Sequence, residues 1–354
     1  MNSISASPPS AAAPSSAPRK STYIHALDGV RAASILLVLM GHALPLGPKD
    51  WMMNSVAARS GMALFFCLSG YLIVSILYKK PQVGPFLAKR VMRIVPALFA
   101  YLAVLTLFFG LPLKSFVLNM AFLSNYLVDG LAGGPVGHLW SLCVEMHFYI
   151  AVSIAVLIAG RRALWLVFPA AFIITGFRIE AEAVANINTH LRVDEILVGG
   201  CLALISMHWG DHLRRILRPK PIALATLLVF GTLFALSAHN SSGALVYFRA
   251  YFSMAVVGII MHCQLTRLLR VLEGRIARYI AKISYALYIW HPLMLFGWFN
   301  AGTTFERYIF KRPISFVLMW IAAHISTIYW ESYWQKAVRR WLGETTPSHP
   351  SPSS

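Results

Sequence analysis

The sequence has few charged residues. Asp, Glu, Lys and Arg together make up 12% of the 354 residues, whereas about a quarter of a soluble domain is charged. Hydrophobic residues make up 58% of the chain. This composition excludes an ordinary soluble protein and predicts an integral membrane protein.

Cysteine is also scarce, and none of the four cysteines belongs to a CxxC pair. Cys67, Cys143, Cys201 and Cys263 all lie in apolar segments, so the sequence favours neither a disulfide framework nor a zinc site. We predict no metal site and expect these thiols to be small buried side chains.

Apolar segments are missing from both ends of the chain. Met1–Pro18 is rich in Ser, Ala and Pro and lacks the apolar core of a signal peptide, so no cleavable leader is predicted. We expect disordered tails at 1–22 and 341–354. Since no internal repeat or separate soluble domain is evident, we assign the chemistry to a membrane domain over 23–340.

What the sequence does contain is a series of long apolar segments. They predict an all-α membrane protein, a bundle of about ten transmembrane helices at 27–46, 60–78, 94–111, 140–160, 163–178, 193–208, 221–239, 247–265, 283–300 and 313–333. With the N-terminus inside, 21 of the 31 Lys and Arg residues fall in inner segments and nine fall outside. The positive-inside rule then makes both termini cytoplasmic, in a multi-pass protein of the inner (plasma) membrane.

The net charge of +18 would also fit a nucleic-acid-binding protein. The basic residues cluster at the inner ends of the spans, however, so we predict membrane lipids and no nucleic acid as partners. The segment from Pro112 to Gly137 is too short and too polar to span, and a re-entrant or interfacial helix is expected there.

The first span, LDGVRAASILLVLMGHA, carries three ionisable side chains in an otherwise apolar helix. Charges at this depth are costly, so they indicate a functional site. Arg31 and His42 are eleven residues apart, within roughly 20° of one helix face and about 16 Å apart along the axis. Asp28 can pair with Arg31 on that face. The alternative is that Arg31 snorkels to the inner surface and His42 only marks the outer end of the span.

Two arginines precede the third span, in PFLAKRVMRIVP. Arg90 and Arg93 have i, i+3 spacing on what should be a short interfacial helix, so both guanidinium groups can bind one anionic ligand. Basic residues at an inner helix end are also ordinary orientation signals, which is the alternative interpretation.

The fourth span opens with GHLWSLCVEMHFY. Glu145 lies inside this span, where a carboxylate requires a partner, a water-filled cavity or protonation. It follows His138 by seven residues and shares its helix face, so it could orient a histidine. The alternative is an ion pair with an arginine elsewhere. His291 precedes a proline, where a histidine bonded to the backbone is common, and the His190-x3-Asp194 spacing of some soluble acyltransferases is interpreted as coincidental.

In their order and spacing these segments resemble the acyltransferase-3 family of membrane O-acyltransferases. The resemblance covers about residues 25–333 and rests on six motifs, LDGVRAASILLVLMGHA, LFFCLSGYLI, AKRVMRIVP, HLWSLCVEMHFY, RVDEILVGGCLA and ISYALYIWHP. Some members carry an additional C-terminal hydrolase-like domain. Because this sequence ends soon after its tenth predicted helix, we expect the membrane domain to perform the transfer alone.

The resemblance implies roles for individual residues. It implies that the pair of Arg31 and His42 is essential for transfer. It also implies that Arg90 and Arg93 help to hold the acyl donor, and that Glu145 takes part. Many members read SVEEQFY in the fourth motif, whereas this chain reads CVEMHFY, so Glu145 is kept and the second carboxylate is missing.

The function expected from the resemblance is transfer of an acyl group, most simply acetyl, from cytoplasmic acyl-CoA to a hydroxyl of an extracytoplasmic or lipid-linked glycan. Acyl-CoA is then a co-substrate, and no bound cofactor is expected. His42 would act as the base, and Asp28 would hold Arg31 in place. Ser69, His138 and His291 are the other supporting residues expected at the site. Two alternatives stay open: a transporter with an intramembrane proton or acid pathway, and an acyltransferase acting on a small lipophilic acceptor.

Overall fold

The computed structural model of the chain describes residues 26–127, 134–239 and 241–344. Within these ranges the chain forms helices and no β-strand, which confirms the all-α prediction. The α-helices are α1 (Ala26–Ala43), α2 (Met53–Lys79), α3 (Val83–Phe109), α4 (Leu113–Met120), α5 (Ser124–Leu127), α6 (Trp140–Ala159), α7 (Val167–Glu180), α8 (Asp194–Ile216), α9 (Lys220–Ser237), α10 (Arg249–His262), α11 (Thr266–Leu272), α12 (Arg275–Trp290), α13 (Arg312–Ile325) and α14 (Ser332–Trp341).

Shorter helical turns connect these helices. Turns of 3-10 helix lie at Lys49–Trp51, Gly137–Leu139, Gly160–Leu166, Thr189–Leu191, Gly243–Phe248, Leu293–Leu295 and Gly297–Asn300. Turns of π-helix lie at Glu306–Lys311 and Ser326–Glu331.

Eight helical segments in the described ranges are long and apolar enough to cross a membrane: Ala26–Ala43, Lys49–Lys79, Val83–Phe109, Gly137–Glu180, Asp194–Ile216, Lys220–Ser237, Gly243–His262 and Glu306–Trp341. The longest, Gly137–Glu180, has 44 residues and is interrupted at Gly160, whose φ is +60°. At about 1.5 Å per residue it is long enough to cross an apolar layer of about 30 Å twice. The membrane class of the fold is confirmed, whereas the count of ten spans is not.

The span predicted at 283–300 has no counterpart among these segments. Most of its apolar residues belong to α12, which is 16 residues long and ends at Trp290. His291 and Pro292 keep right-handed helical backbone angles, but proline has no backbone N–H to continue the α-helical hydrogen bonds. The α-helix alone is therefore shorter than the roughly 20 residues of a usual membrane crossing, and the 3-10 turns Leu293–Leu295 and Gly297–Asn300 continue the chain beyond it.

Arg90 and Arg93 do not lie on a separate interfacial helix, and that prediction was wrong. They belong to α3, a single helix of 27 residues that continues through Pro96. The apolar pattern runs on both sides of the two arginines, so nothing in the sequence ends the helix between them and the span.

The segment predicted not to span the membrane contains α4 and α5. These helices have eight and four residues, too short to cross an apolar layer. Residues 128–133 of this segment lie outside the described residues. So do the tail predicted at 1–22 and residues 345–354 of the tail predicted at 341–354, whereas Trp341 belongs to α14.

Helix α2 lies at the centre of the bundle. It packs against α1 and α8, while α1 also packs against α12 and α8 against α10. All four cysteines are buried, as predicted, and Cys67 lies where α2 meets α8. In contrast, α9 is peripheral, with most of its apolar surface exposed.

The contact between α2 and α8 depends on glycine. A Cβ atom on Gly199 would lie 2.0 Å from the carbonyl oxygen of Cys67, and one on Gly70 would lie 1.8 Å from that of Ile196. Both distances are far shorter than van der Waals contact, so any side chain would push the two backbones apart. Small residues at a crossing let membrane helices approach this closely.

We therefore expect Gly199→Ala to destabilise the bundle by about 1–3 kcal/mol, the usual cost of overpacking. Gly231→Ala is the matched control, because a Cβ atom on this α9 glycine would meet no atom within 4 Å. The apparent melting temperatures of the two purified variants measure the difference. Equal melting temperatures would contradict the close approach of α2 and α8.

Candidate active site

Helix α1 connects two cavities, one near each of its ends. The cavity near its N-terminal end is called the arginine cavity, and the residues of interest that line it are Arg31, Ser69, Arg90, Arg93 and Glu145. The one at its C-terminal end is called the histidine pocket, and the histidines that line it are His42, His138 and His291. Eight of the nine site residues predicted from the sequence, all except Asp28, therefore line one of these two cavities.

The histidine pocket has a volume of about 470 Å³. The ring centroids of His42 and His291 are 5.2 Å apart, and those of His291 and His138 are 5.3 Å apart. The three rings come from α1, from the 3-10 turn before α6, and from the residue after α12. Their grouping is a tertiary feature that spacing along the chain does not predict.

Backbone contacts set the tautomer of two of these histidines. Nδ1 of His42 lies 2.9 Å from the carbonyl oxygen of Val38, and Nδ1 of His291 lies 2.7 Å from that of Tyr288. A carbonyl oxygen only accepts hydrogen bonds, so in each neutral ring Nδ1 carries the proton and Nε2 keeps its lone pair. His42 is exposed in the pocket whereas His291 is buried. Nε2 of His42 is therefore able to accept a proton from a group that enters the pocket.

The arginine cavity is narrow and aromatic. Its volume of about 10 Å³ leaves room for roughly one water molecule. Besides the polar residues already named, its walls include the rings of Phe65, Tyr149 and Tyr285. Three arginines that the sequence places in two separate motifs meet here.

Glu145 is the buried carboxylate of the arginine cavity. Its Oε1 accepts hydrogen bonds from Ser69 Oγ at 2.8 Å and from Tyr149 OH at 2.6 Å. Arg31 lies within electrostatic reach of the same carboxylate. Within the described residues, Glu145 therefore forms neither an ion pair with an arginine within 4 Å nor a hydrogen bond with His138, and two hydroxyl groups hold its carboxylate. The predicted partnership with His138 is missing for a local reason, because His138 lies in a 3-10 turn and the α-helical spacing does not extend to it.

Arg93 also lines two larger cavities at this end of the bundle. One, of about 270 Å³, lies between α3 and α14, and its basic residues are Lys80, Lys89, Arg90, Arg93 and Arg339. The other has a volume of about 380 Å³, and its charged residues are Asp28, Arg31, Arg93, Arg278, Lys282 and Glu331. Asp28 thus lies beside the same cavity as Arg31. Cations outnumber carboxylates in both cavities, so this end of the bundle is electropositive.

Two aromatic rings separate the arginine cavity from the histidine pocket. Phe65 lines the first and Tyr288 lines the second, and their stacked rings have centroids 6.2 Å apart. The Tyr288 hydroxyl lies 2.7 Å from Ser141 Oγ and donates to the His138 carbonyl oxygen at 2.7 Å. A direct route between the two cavities therefore passes these rings.

Sequence reasoning missed a buried ion network beside the histidine pocket. Arg178 pairs with Asp194, while Glu195 pairs with Arg249 at 2.9 Å and with Arg192 at 3.3 Å. All five residues are buried, and Arg192 also lines the histidine pocket. The sequence does contain an indication of this network, because two acidic residues begin one apolar segment and arginines lie near the ends of the adjacent segments. The network was missed because these arginines were interpreted only as determinants of membrane orientation.

The His190-x3-Asp194 spacing does not form a pair of side chains, as expected of a coincidence. Nδ1 of His190 is hydrogen-bonded to the Tyr126 hydroxyl at 2.9 Å, whereas Asp194 binds Arg178. Across the parts of the chain that the structure describes, no group of three His, Cys, Asp or Glu residues is arranged to hold a metal ion.

Comparisons with known proteins bear on this site. A family profile described as an acyltransferase domain, of the acyltransferase-3 type, matches residues 24–331. The Staphylococcus aureus strain COL protein named "Putative O-acetyltransferase SACOL0978" is 24% identical, and O-acetyltransferase OatA of Staphylococcus aureus strain NCTC 8325 is 22% identical. Each similarity covers 77% of this chain and 51% of the relative, so the chain spans about half the length of these curated relatives. No solved structure matches the chain.

We expect Tyr149→Phe to destabilise the protein by about 1–3 kcal/mol, because it removes a hydrogen bond to a buried carboxylate and leaves the ring in place. Tyr126→Phe is the matched control, since its hydroxyl binds His190 at an exposed position. Thermal unfolding of the purified variants is the measurement. If both variants unfold at the same temperature as the unaltered protein, the Tyr149 hydroxyl does not hold Glu145.

Proposed function

Because this chain belongs to the acyltransferase-3 family of membrane proteins, we propose that it is a membrane O-acyltransferase. The proposed donor is acetyl-CoA, and the proposed acceptor is a hydroxyl group of a glycan or a lipid-linked sugar. The names of the relatives, which are O-acetyltransferases, support acetyl as the transferred group. The observation that carries the proposal is the pair of cavities along α1, one cationic and one with a proton-accepting histidine.

In the proposed orientation the arginine cavity faces the cytoplasm and the histidine pocket faces the outside of the cell. The distribution of basic residues supports this, because most of them lie in segments at the arginine end of the bundle. Both termini would then be cytoplasmic, in the inner (plasma) membrane. Cytoplasmic acetyl-CoA and an extracytoplasmic acceptor would reach the site from opposite sides.

The proposed donor site is the cationic end of the bundle. Arg90 and Arg93 are one turn apart on α3 and line the same cavities, so their guanidinium groups can bind the phosphates of CoA together. Arg31 and His42 are about 16 Å apart along α1. The phosphopantetheine arm of CoA is of comparable length, so it would reach from one to the other, provided that the narrow cavity beside Arg31 and the stacked rings of Phe65 and Tyr288 move apart to admit it.

The proposed reaction takes place in the histidine pocket. The acceptor hydroxyl attacks the carbonyl carbon of the thioester while Nε2 of His42 takes its proton. The new C–O bond forms, the C–S bond breaks, and the proton passes from His42 to the departing sulfur, which releases CoA as the thiol. His291 supports the ring of His42, and His138 packs against His291. Glu145 and Asp28 offset the charge of the arginines that bind the donor.

The donor site provides the experiment that tests the proposal. Arg90→Ala combined with Arg93→Ala removes two charge-assisted contacts, each worth about 1.5–3 kcal/mol. We expect the affinity of the purified protein for acetyl-CoA, measured by titration calorimetry, to fall at least about tenfold. His42→Ala is expected to bind acetyl-CoA almost as tightly as the unaltered protein and to lose transfer, because His42 acts in the chemistry.

The matched control is Arg161→Ala combined with Arg162→Ala, which removes two adjacent exposed arginines that line none of the cavities described above. It is expected to leave acetyl-CoA binding unchanged. If the variant that lacks Arg90 and Arg93 binds acetyl-CoA as tightly as the unaltered protein, these two arginines do not bind the donor and only help to set the orientation of the protein in the membrane. If the unaltered protein does not bind acetyl-CoA, the acyltransferase proposal fails and a transporter becomes the better account.

A further inference from the structure

The ion network beside the histidine pocket carries unequal charge. It contains three guanidinium groups, on Arg178, Arg192 and Arg249, and two carboxylates, on Asp194 and Glu195. All five groups are buried. Because a buried charge is stable only when it is paired, a network with one surplus cation provides a place for an anion.

Arg192 is the member of the network that lines the histidine pocket. Its guanidinium carbon lies 5.4 Å from the ring centroid of Trp140, another residue of the pocket wall. Of the two arginines bound to Glu195 it is the more distant, at 3.3 Å against 2.9 Å for Arg249. Each of the three arginines has at least one side-chain nitrogen without a hydrogen-bond partner in the part of the chain that the structure describes. Of the three, Arg192 is the one that lines the pocket, so the network presents its charge to the pocket through Arg192.

Arg192 keeps this charge at neutral pH. Burial lowers the pKa of Arg192 to about 10, and the carboxylate of Glu195 offsets part of that effect. At pH 7 the guanidinium group is still protonated. A group that enters the histidine pocket therefore meets a cation at its wall.

The described residues of the pocket wall include no carboxylate. None of the Asp and Glu residues in the described ranges lines the pocket. Among these residues the wall combines Arg192 with three histidines, which favours an anionic group over a cationic one.

We propose that the acceptor carries an anionic group, a carboxylate or a phosphate, and that Arg192 binds it. This inference rests on the proposed function and names the class of acceptor for that site. The planar guanidinium group of Arg192 is able to form parallel hydrogen bonds with either anion. Such binding holds the acceptor with a hydroxyl group beside His42. Acidic sugars and phosphate-bearing sugars fit this pocket, and neutral sugars leave the surplus cation unpaired.

Arg192 can be removed without unbalancing the network. In Arg192→Gln, Asp194 keeps Arg178 and Glu195 keeps Arg249, so two cations face two carboxylates. We expect this variant to fold with a melting temperature close to that of the unaltered protein. Arg162→Gln, at an exposed position outside the network, is the matched control.

The charge of the pocket is measurable without an acceptor. On a cysteine-free background, Ile187→Cys introduces a thiol into the pocket wall. The rates at which this thiol reacts with an anionic and with a cationic methanethiosulfonate reagent are measured. Each rate is divided by the rate of the same reagent with a small thiol in solution, and the ratio of the two normalised rates gives the charge preference of the pocket. We expect the anionic reagent to be favoured, and Arg192→Gln to lower this preference at least about threefold. Arg162→Gln is expected to leave the preference unchanged, and an unchanged preference in Arg192→Gln would overturn the proposal.

The same thiol identifies which anion binds. Glucuronate, glucose 1-phosphate and glucose are compared at equal concentration as protectants against a neutral thiol reagent. Protection by glucuronate supports a carboxylate, protection by glucose 1-phosphate supports a phosphate, and either must disappear in Arg192→Gln. Equal protection by glucose, absence of protection by both anions, or protection that survives Arg192→Gln contradicts the proposal. None of these measurements involves CoA, so their failure is distinct from failure of the proposed function.

Discussion

The cost of placing arginines inside an apolar layer is the constraint on which the rest of this structure depends. Arg31, Arg90 and Arg93 meet in one narrow cavity, where they repel one another unless a counter-charge is present. Glu145 supplies that charge, and the hydroxyls of Ser69 and Tyr149 hold its carboxylate. One carboxylate against three cations leaves the cavity positive. An apolar bundle thereby acquires a buried site that attracts anions.

The position of α1 relates this charged cavity to the histidine pocket. The helix packs against α2 and α12, which supply Phe65 and Tyr288, the two rings between the cavities. The arginine cavity and His42 are therefore separated by about three helical turns of α1. In the proposed mechanism, a donor occupies the arginine cavity and the histidine pocket together only if it is elongated, with an anionic group at one end and the reactive thioester at the other. The two-sided arrangement of substrates in the proposal follows from this separation.

Features that depend on periodicity within one helix were predictable from the sequence. Arg31 and His42 lie near the two ends of one regular helix, as their spacing predicts. The spacing of His138 and Glu145 misled because a 3-10 turn interrupts the repeat between them. The meeting of three histidines from distant segments was not predictable, because it depends on which helices pack together. The position of Arg192 was not predictable either, because its contact with Glu195 and its place in the pocket wall depend on how the loop before α8 packs against the bundle.

The central claim is that a donor bound at the arginine end reaches His42 at the other end. Sealed membrane vesicles of the two orientations test it most directly, with radiolabelled acetyl-CoA added outside and label counted in glycan and lipid-linked material. The account predicts incorporation in inside-out vesicles, no incorporation in right-side-out vesicles, and none in either with His42→Ala. Incorporation in intact right-side-out vesicles, or undiminished incorporation with His42→Ala, would contradict the account.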